Sequence, residues 1–234
     1  MMRGDMIRCP VCGADYPEDR QECPRCYRQR LWDSAYKKDL IKTKCSPRIA
    51  VDVNNNYPDT LENASVVALK IQENKSKGVG AFLCGPVGSG KTVTAFYIMM
   101  ELARLDYVNN NILFHGYELV FATMNDILMA IRNSFSPTAE VKEKDVVSFY
   151  SDAKVLLVDD FGLDKVTDWS FQMIYAIINH RYENLLPTIF TSNLTLEEIA
   201  EKLCDDRIPS RVFAMTKGSQ YHLKGLDKRI NKNG

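Results

Sequence analysis

From about residue 61 onward, short runs of apolar residues alternate with segments whose apolar positions recur every three to four residues. The first pattern predicts strands buried on both faces, the second helices with one face on a core. Helical spacing covers 63–75. The run Val79-Gly80-Ala81-Phe82-Leu83-Cys84 predicts a strand, and beyond a glycine-rich turn Val93, Phe96, Tyr97 and Met100 share one face of a second helix. A strand is expected over Glu118-Leu119-Val120-Phe121-Ala122-Thr123, then a helix from Asn125 to Arg132, then a polar stretch rich in Lys and Glu over 136–148. Val155-Leu156-Leu157-Val158 is apolar throughout, as a central parallel strand is. The helix expected over 168–183 turns Phe171, Ile174, Tyr175, Ile178 and Tyr182 toward the sheet. Pro187-Thr188-Ile189-Phe190-Thr191 predicts a further strand, and Thr195 with Glu198 three residues on marks a helix start. Elements alternating in this way predict an α/β fold, a three-layer sandwich around a parallel sheet.

The first 60 residues break the pattern. Residues 27–44 mix Arg and Lys with Leu31, Trp32, Tyr36 and Leu40. They read either as a helix offering an apolar stripe to a partner or as a solvated connecting helix. Asn54-Asn55-Asn56-Tyr57-Pro58-Asp59 punctuates the entry to the α/β part. The expected organisation is a small module over 1–30, a connecting segment over 31–60 and one α/β domain over 61–234.

Thirty basic and thirty acidic residues cancel, so nucleic-acid contact requires a local patch. No apolar run approaches the ~20 residues that span a bilayer, and Met1-Met2-Arg3-Gly4-Asp5 leads into no apolar core. A cytoplasmic protein with no membrane partner is expected. Of seven cysteines, four are ordered as Cys9-x-x-Cys12, a gap of ten, then Cys23-x-x-Cys26, each pair sitting with Pro or Gly as tight metal knuckles require. A tetrahedral four-thiolate set suits Zn²⁺ and leaves no open position, so the site is read as structural, a small zinc ribbon. The gap is shorter than in longer-spaced relatives of the motif, and a redox pair or an iron–sulfur site are the alternatives. Charges around it are mixed (Arg8, Arg20 and Arg25 against Asp15, Glu18, Asp19 and Glu22), which favours a protein partner for the module. Cys45, Cys84 and Cys204 stand alone and read as ordinary neutral thiols.

Gly85-Pro86-Val87-Gly88-Ser89-Gly90-Lys91-Thr92 fits G-x-x-x-x-G-K-[ST], with a strand before it and a helix behind. Glycines let the backbone curl so that N–H groups face phosphate oxygens, and the helix N-terminus adds partial positive charge. Lys91 then neutralises the terminal phosphates, and the Thr92 hydroxyl ligates Mg²⁺. The strand at 155–158 runs into Asp159-Asp160. A carboxylate at such a strand end holds the Mg²⁺ shell, the role read for Asp159, and a second can orient and deprotonate the attacking water, the role read for Asp160. ATP, Mg²⁺ and Zn²⁺ are the cofactors expected.

Together these motifs resemble the AAA+ ATPases, and more narrowly the replicative helicase loaders of the DnaC/DnaI type. The resemblance covers roughly 61–225 and rests on Gly85–Thr92, Val155–Gly162, Asn179-His180-Arg181-Tyr182-Glu183, Thr191-Ser192-Asn193, Asp206-Arg207-Ile208-Pro209-Ser210-Arg211 and Gly218–Lys224. It implies that Asn193 is a sensor that helps place the water. It also implies that Arg211, supported by Arg207, reaches the nucleotide of a neighbouring subunit. The implied activity is slow ATP hydrolysis in a self-assembling homo-oligomer that loads a hexameric replicative DNA helicase onto single-stranded DNA. A cysteine module ahead of the ATPase resembles the DnaI branch.

Two departures stand out. Most AAA+ proteins have Glu where this chain has Asp160, one methylene shorter. Only ten residues follow Lys224, so a helical lid is not expected, and Lys228 and Arg229 are candidates for its arginine or simply a solvated basic tail. Transposition helper ATPases of the IstB type share nearly every motif and form the alternative; a non-catalytic, nucleotide-switched adaptor is another. DNA contact is expected after the second strand of the α/β part, from Arg132, Lys142 and Lys144, interleaved with Glu140 and Glu143, with Phe135 as a base-stacking candidate; a solvated helix face is the competing reading.

Overall fold

A computed structural model describes residues 6–44, 46, 47, 49, 50, 58–110, 118–136, 138, 140–162 and 167–224. Cys45, most of the asparagine-rich punctuation and the tail cations Lys228 and Arg229 lie outside the described residues.

The α/β part is built on five parallel strands, β3 (Ala81–Cys84), β4 (Leu119–Thr123), β5 (Val155–Asp159), β6 (Thr188–Ser192) and β7 (Gln220–His222), in the order β4-β5-β6-β3-β7. Every residue of β3, β5 and β6 is buried, the pattern their continuous apolar runs demand when both sheet faces are covered. One face carries α3 (Pro58–Glu73) and α4 (Lys91–Asn110), with Phe96, Ile98 and Met99 fully buried among Leu83, Leu157 and Ile189. The other carries α5 (Met124–Asn133), α6 (Glu143–Asp152), α7 (Asp168–Glu183), α8 (Leu196–Leu203) and α9 (Arg207–Met215), packed over Phe82, Leu156, Val158 and Phe190. This is the three-layer α/β sandwich with a parallel sheet. Thr195 caps α8 in a capping box with Glu198.

Several local expectations change. The polar stretch 136–148 contains the first turns of α6. On α7 the aromatic stripe ends early: Tyr182 is 42% exposed, and its neighbour Arg181 is fully buried instead. Arg181 donates to Thr188 Oγ1 and to the carbonyls of Tyr150, Ser151, Ala153 and Pro187, closing the carbonyl end of α6 over the start of β6. Burial pulls its guanidinium down to about 9, and no carboxylate lies among those partners. α4 is buried on more than one face, because α3 covers the side turned away from the sheet.

The largest change concerns the connecting segment. A hairpin of β1 (Met6–Arg8) and β2 (Asp15–Pro17) leads into α1 (Pro24–Leu31), a π-helical turn (Trp32–Tyr36) and α2 (Lys37–Lys44). Its apolar stripe neither faces solvent nor waits for another molecule. Trp32 is buried, and Trp32 and Tyr36 pack on Tyr107 near the C-terminal end of α4. Arg28 donates twice to Val108 O (2.9 and 2.7 Å), satisfying a carbonyl that the helix end leaves open. Arg104 donates to Gln29 Oε1 at 2.7 Å. Among the described residues no helix is long and apolar enough to cross a membrane.

Candidate functional site

Parallel strands deliver their carboxyl ends to one edge, and the strand order sets what meets there. β6 lies between β5 and β3, so Asn193 follows a strand flanked by the one ending in Asp159 and the one leading into the glycine loop. The loop needs its glycines. Gly85, Gly88 and Gly90 sit at φ +145°, +77° and +90°. A Cβ on Gly85 would lie 2.3 Å from Leu223 O. Among the described residues nothing lies within 4 Å of a Cβ built on Gly90, leaving space over the loop. Pro86 and Val87 are exposed at its crest, whereas Ser89 Oγ is buried with no partner among the described residues. An orphaned hydroxyl beneath a ring of glycines fits an anion with oxygen acceptors.

Lys91 opens α4 and is buried; its Nζ donates to Gly85 O (2.9 Å) and Pro86 O (2.8 Å). One residue on, Thr92 Oγ1 donates to both oxygens of Asp159, at 2.9 and 3.1 Å. Asp159 also accepts from Thr191 Oγ1 at 2.5 Å. Burial raises the Asp159 carboxyl above its ordinary value; the Thr191 and Thr92 hydroxyls oppose that rise, and the Asp160 charge adds to it. A carboxylate held at this cost beside a threonine hydroxyl is a hard-oxygen donor pair, the chemistry that fits Mg²⁺. The chain then turns sharply. Asp160 takes φ +53°, its N–H donates to Thr191 Oγ1 (3.1 Å) and its side chain is exposed. A left-handed non-glycine residue is uncommon, and Asp tolerates it better than most. Thr191 thus braces both acidic residues, a role that sequence reading missed although the Thr-Ser-Asn triplet contained it.

Arg211 lies elsewhere. Its Nε donates to Asn179 Oδ1 (2.5 Å), Nη2 to the Tyr175 hydroxyl (2.8 Å) and Nη1 to Arg207 O (3.1 Å), with the guanidinium 4.7 Å from the Tyr175 ring centre. Arg207 pairs with Asp205 and covers the stacked rings of Phe171 and Tyr175. The arginines share one face of α9, as their spacing predicts, and that face rests on α7. All these contacts of Arg211 are to α7 and α9, none to the chain's own glycine loop.

The four N-terminal cysteines converge. Their sulfur atoms lie within 4.8 Å of one another, with Cys9–Cys26 and Cys12–Cys23 both at 3.6 Å. A tetrahedron with Zn–S near 2.3 Å has sulfur edges of roughly 3.8 Å, so the set fits zinc. Gly13 at φ +69° lets the first knuckle close, Gly13 N donating to Cys9 O, and Pro24 starts the helix bearing Cys26. Backbone N–H groups of Cys12 and Val11 pull the Cys9 thiol down to about 6, while burial pushes Cys26 up to about 12.

Of the DNA candidates, Arg132 lies over the Trp169 ring at 5.4 Å and half-exposed Phe135 meets the same ring edge-on at 5.8 Å. Lys142 precedes α6 and Lys144 lies in its first turn, both exposed. The structure therefore gathers Arg132 and Phe135 around Trp169, a residue the sequence reading passed over.

Residues 51–214 match the family model of the IstB-like ATP binding protein. The replicative helicase loader DnaI of Bacillus subtilis is 28% identical over 205 residues, covering 85% of this chain and 62% of DnaI. The phage-like element PBSX protein XkdC of the same species is 27% identical over 154 residues, covering 64% of this chain and 52% of its own length. This chain thus spans between half and two thirds of these relatives. Among solved structures, that of the DnaC helicase loader superposes with a TM-score of 0.60 at 21% identity, covering 76% of this chain and all of that one. With the family model matched over most of its length, the chain belongs to the IstB-like ATP-binding family and has the P-loop AAA+ fold of the replicative helicase loaders.

Proposed function

We propose that this chain is an ATP-dependent loader of a replicative DNA helicase onto single-stranded DNA. The observation that carries the ATPase part is the Thr92–Asp159 contact beside Lys91, with Asp160 turned outward one residue later. Loop N–H groups and Ser89 would hold phosphate oxygens, and Lys91 would leave the loop carbonyls for the terminal phosphates. Thr92 and Asp159 would hold Mg²⁺, which when bound would supply positive charge against the phosphates. Asp160 orients and deprotonates the attacking water, and Asn193, at the neighbouring strand end, helps place it. Arg211, held at the surface by Tyr175 and Asn179, acts on the nucleotide of an adjoining subunit in a homo-oligomer, where a guanidinium stabilises the transferring phosphoryl group. The cysteine module holds Zn²⁺ and binds the helicase.

Loading a helicase is favoured over transposition by the reach of one likeness. The DnaI match covers 85% of this chain, more than the family model's span and everything after it can contain, so it extends ahead of that span into the segment before residue 51. The IstB name of the family model supports the second reading, a transposition helper. Affinity capture with the full chain, MgATP and lysate of the source cell separates them. The replicative helicase should be recovered, and less of it with Cys23→Ser; recovery of a transposase without helicase selects the alternative.

A further inference from the structure

Among the described residues β7 is the outermost strand on the P-loop side of the sheet, and its three residues pair with β3. The register sets His222 opposite Cys84, the last residue before the glycine loop. Two contacts follow. The Leu223 N–H donates to Cys84 O at 2.7 Å, and Leu223 O stands only 2.3 Å from where a Cβ of Gly85 would be, so the loop's first residue is glycine because the chain leaving β7 passes against it. Cys84 Sγ and His222 Nδ1 lie 3.5 Å apart. Burial raises the Cys84 thiol, which therefore keeps its proton at neutral pH and can donate it to Nδ1 when the imidazole proton sits on Nε2. On the other side of the same turn, the carbonyls of Gly85 and Pro86 carry the Lys91 ammonium. Contacts thus run unbroken from His222 through Cys84 and Gly85 to the lysine that would neutralise the nucleotide's phosphates.

We infer that His222 is a positioning residue of the nucleotide site, holding the entry turn of the phosphate loop from the edge strand. The inference rests on the reading of that loop as an ATP site. Phosphate binding by a ring of backbone N–H groups depends on their directions, and misaligned donors lose strength steeply with angle. An entry turn held from one side keeps those directions fixed before nucleotide arrives. Asn at 222 can offer its side-chain oxygen to the thiol where Nδ1 now stands; Ala cannot.

The test measures MgATP affinity of the full zinc-loaded chain by calorimetry for the unmodified protein, His222→Ala, His222→Asn, Cys84→Ala and the Cys84→Ala/His222→Ala pair, with melting temperatures alongside. His222→Ala should weaken binding about fivefold, the worth of one hydrogen bond, and His222→Asn should restore most of it. The double variant should bind no more weakly than Cys84→Ala alone, because both changes remove the same contact. Unchanged affinity in His222→Ala overturns the inference, as does a His222→Asn protein that melts normally yet binds as weakly as the alanine variant. Additive losses in the double variant also overturn it. An unmodified protein that binds no nucleotide overturns the ATPase reading, and this inference with it.

Discussion

The two ends of helix α4 differ in how they are made. At the N-terminal end, Lys91 and Thr92 face a loop whose shape comes from backbone dihedrals and from a carboxylate buried beside it. At the C-terminal end, Arg104, Tyr107 and Val108 receive α1 and the π-helical turn through a bidentate guanidinium, an amide and two rings. The first end stores cost: an Asp desolvated, another residue at positive φ, a hydroxyl without a partner among the described residues. The second end is ordinary packing that lowers the energy of the fold. Binding sites accumulate such cost and docking surfaces do not, so the same helix is poised at one end and anchored at the other. A 20-residue helix spans about 30 Å, so α4 is a stiff connection between the glycine loop and the cysteine module.

Removing zinc should produce the largest effect. Structural zinc contributes ~10–16 kcal/mol of binding free energy in small modules, more than a 30-residue hairpin and helix can replace. Chelation should raise amide exchange across 6–31 and also at 104–110, where the dock is lost, while β3, β5 and β6 stay protected. Protection unchanged at 104–110 would mean that the dock does not hold the end of α4.

Asp160→Asn comes next and acts only at the other end. Loss of a general base lowers rates by ~10²–10⁴-fold, so turnover should fall to that extent with MgATP affinity unchanged. Turnover at the unmodified rate would remove Asp160 from the mechanism.

Arg28→Met keeps an unbranched apolar stem, though a shorter one, and strips Val108 O of both donors. A hydrogen bond from a charged donor is worth ~1.5–3 kcal/mol, and partial exposure brings the expected loss to the lower end of that range. Limited proteolysis should cut between the module and α4 faster than in the unmodified chain, with zinc content preserved.

Asp159 gives a pH signature. Its folded value is raised by burial, so as pH climbs through the interval above the unfolded carboxyl the folded state keeps a proton that the unfolded state has released. Stability therefore falls with rising pH in that interval, and the deficit persists above it. In nucleotide-free protein Asp159→Asn should melt higher at neutral pH, the gain shrinking as pH drops. A variant that melts lower at neutral pH would show that the Thr92 and Thr191 hydrogen bonds outweigh desolvation.

How much of this could be read beforehand divides along the same comparison. The loop, Asp159 and the paired cysteines are contiguous signatures, each requiring particular residue types at fixed spacing. The sheet followed from fully apolar runs such as Val155–Val158. The dock was hidden because its partners, Arg28 with Val108 or Trp32 with Tyr107, are some 75 to 80 residues apart, and each alone looks like a snorkelling cation or an amphipathic aromatic. Arg181 was unreadable for a related reason: a fully buried arginine serving backbone carbonyls has no period to reveal it. Thr191 was visible as strand, yet its bracing of Asp159 and Asp160 depends on the β5–β6 pairing.

Mg²⁺-dependent ATP turnover by mixed subunits tests the central claim most directly. Lys91→Ala alone should be inactive because its own loop fails, and Arg211→Ala alone because it contributes no arginine to a neighbour. Mixed in the presence of single-stranded DNA, the two should regain part of the unmodified rate, since each defect lies on a different side of the subunit contact. Turnover by Lys91→Ala alone, or no recovery from folded and associated mixtures, would contradict the account.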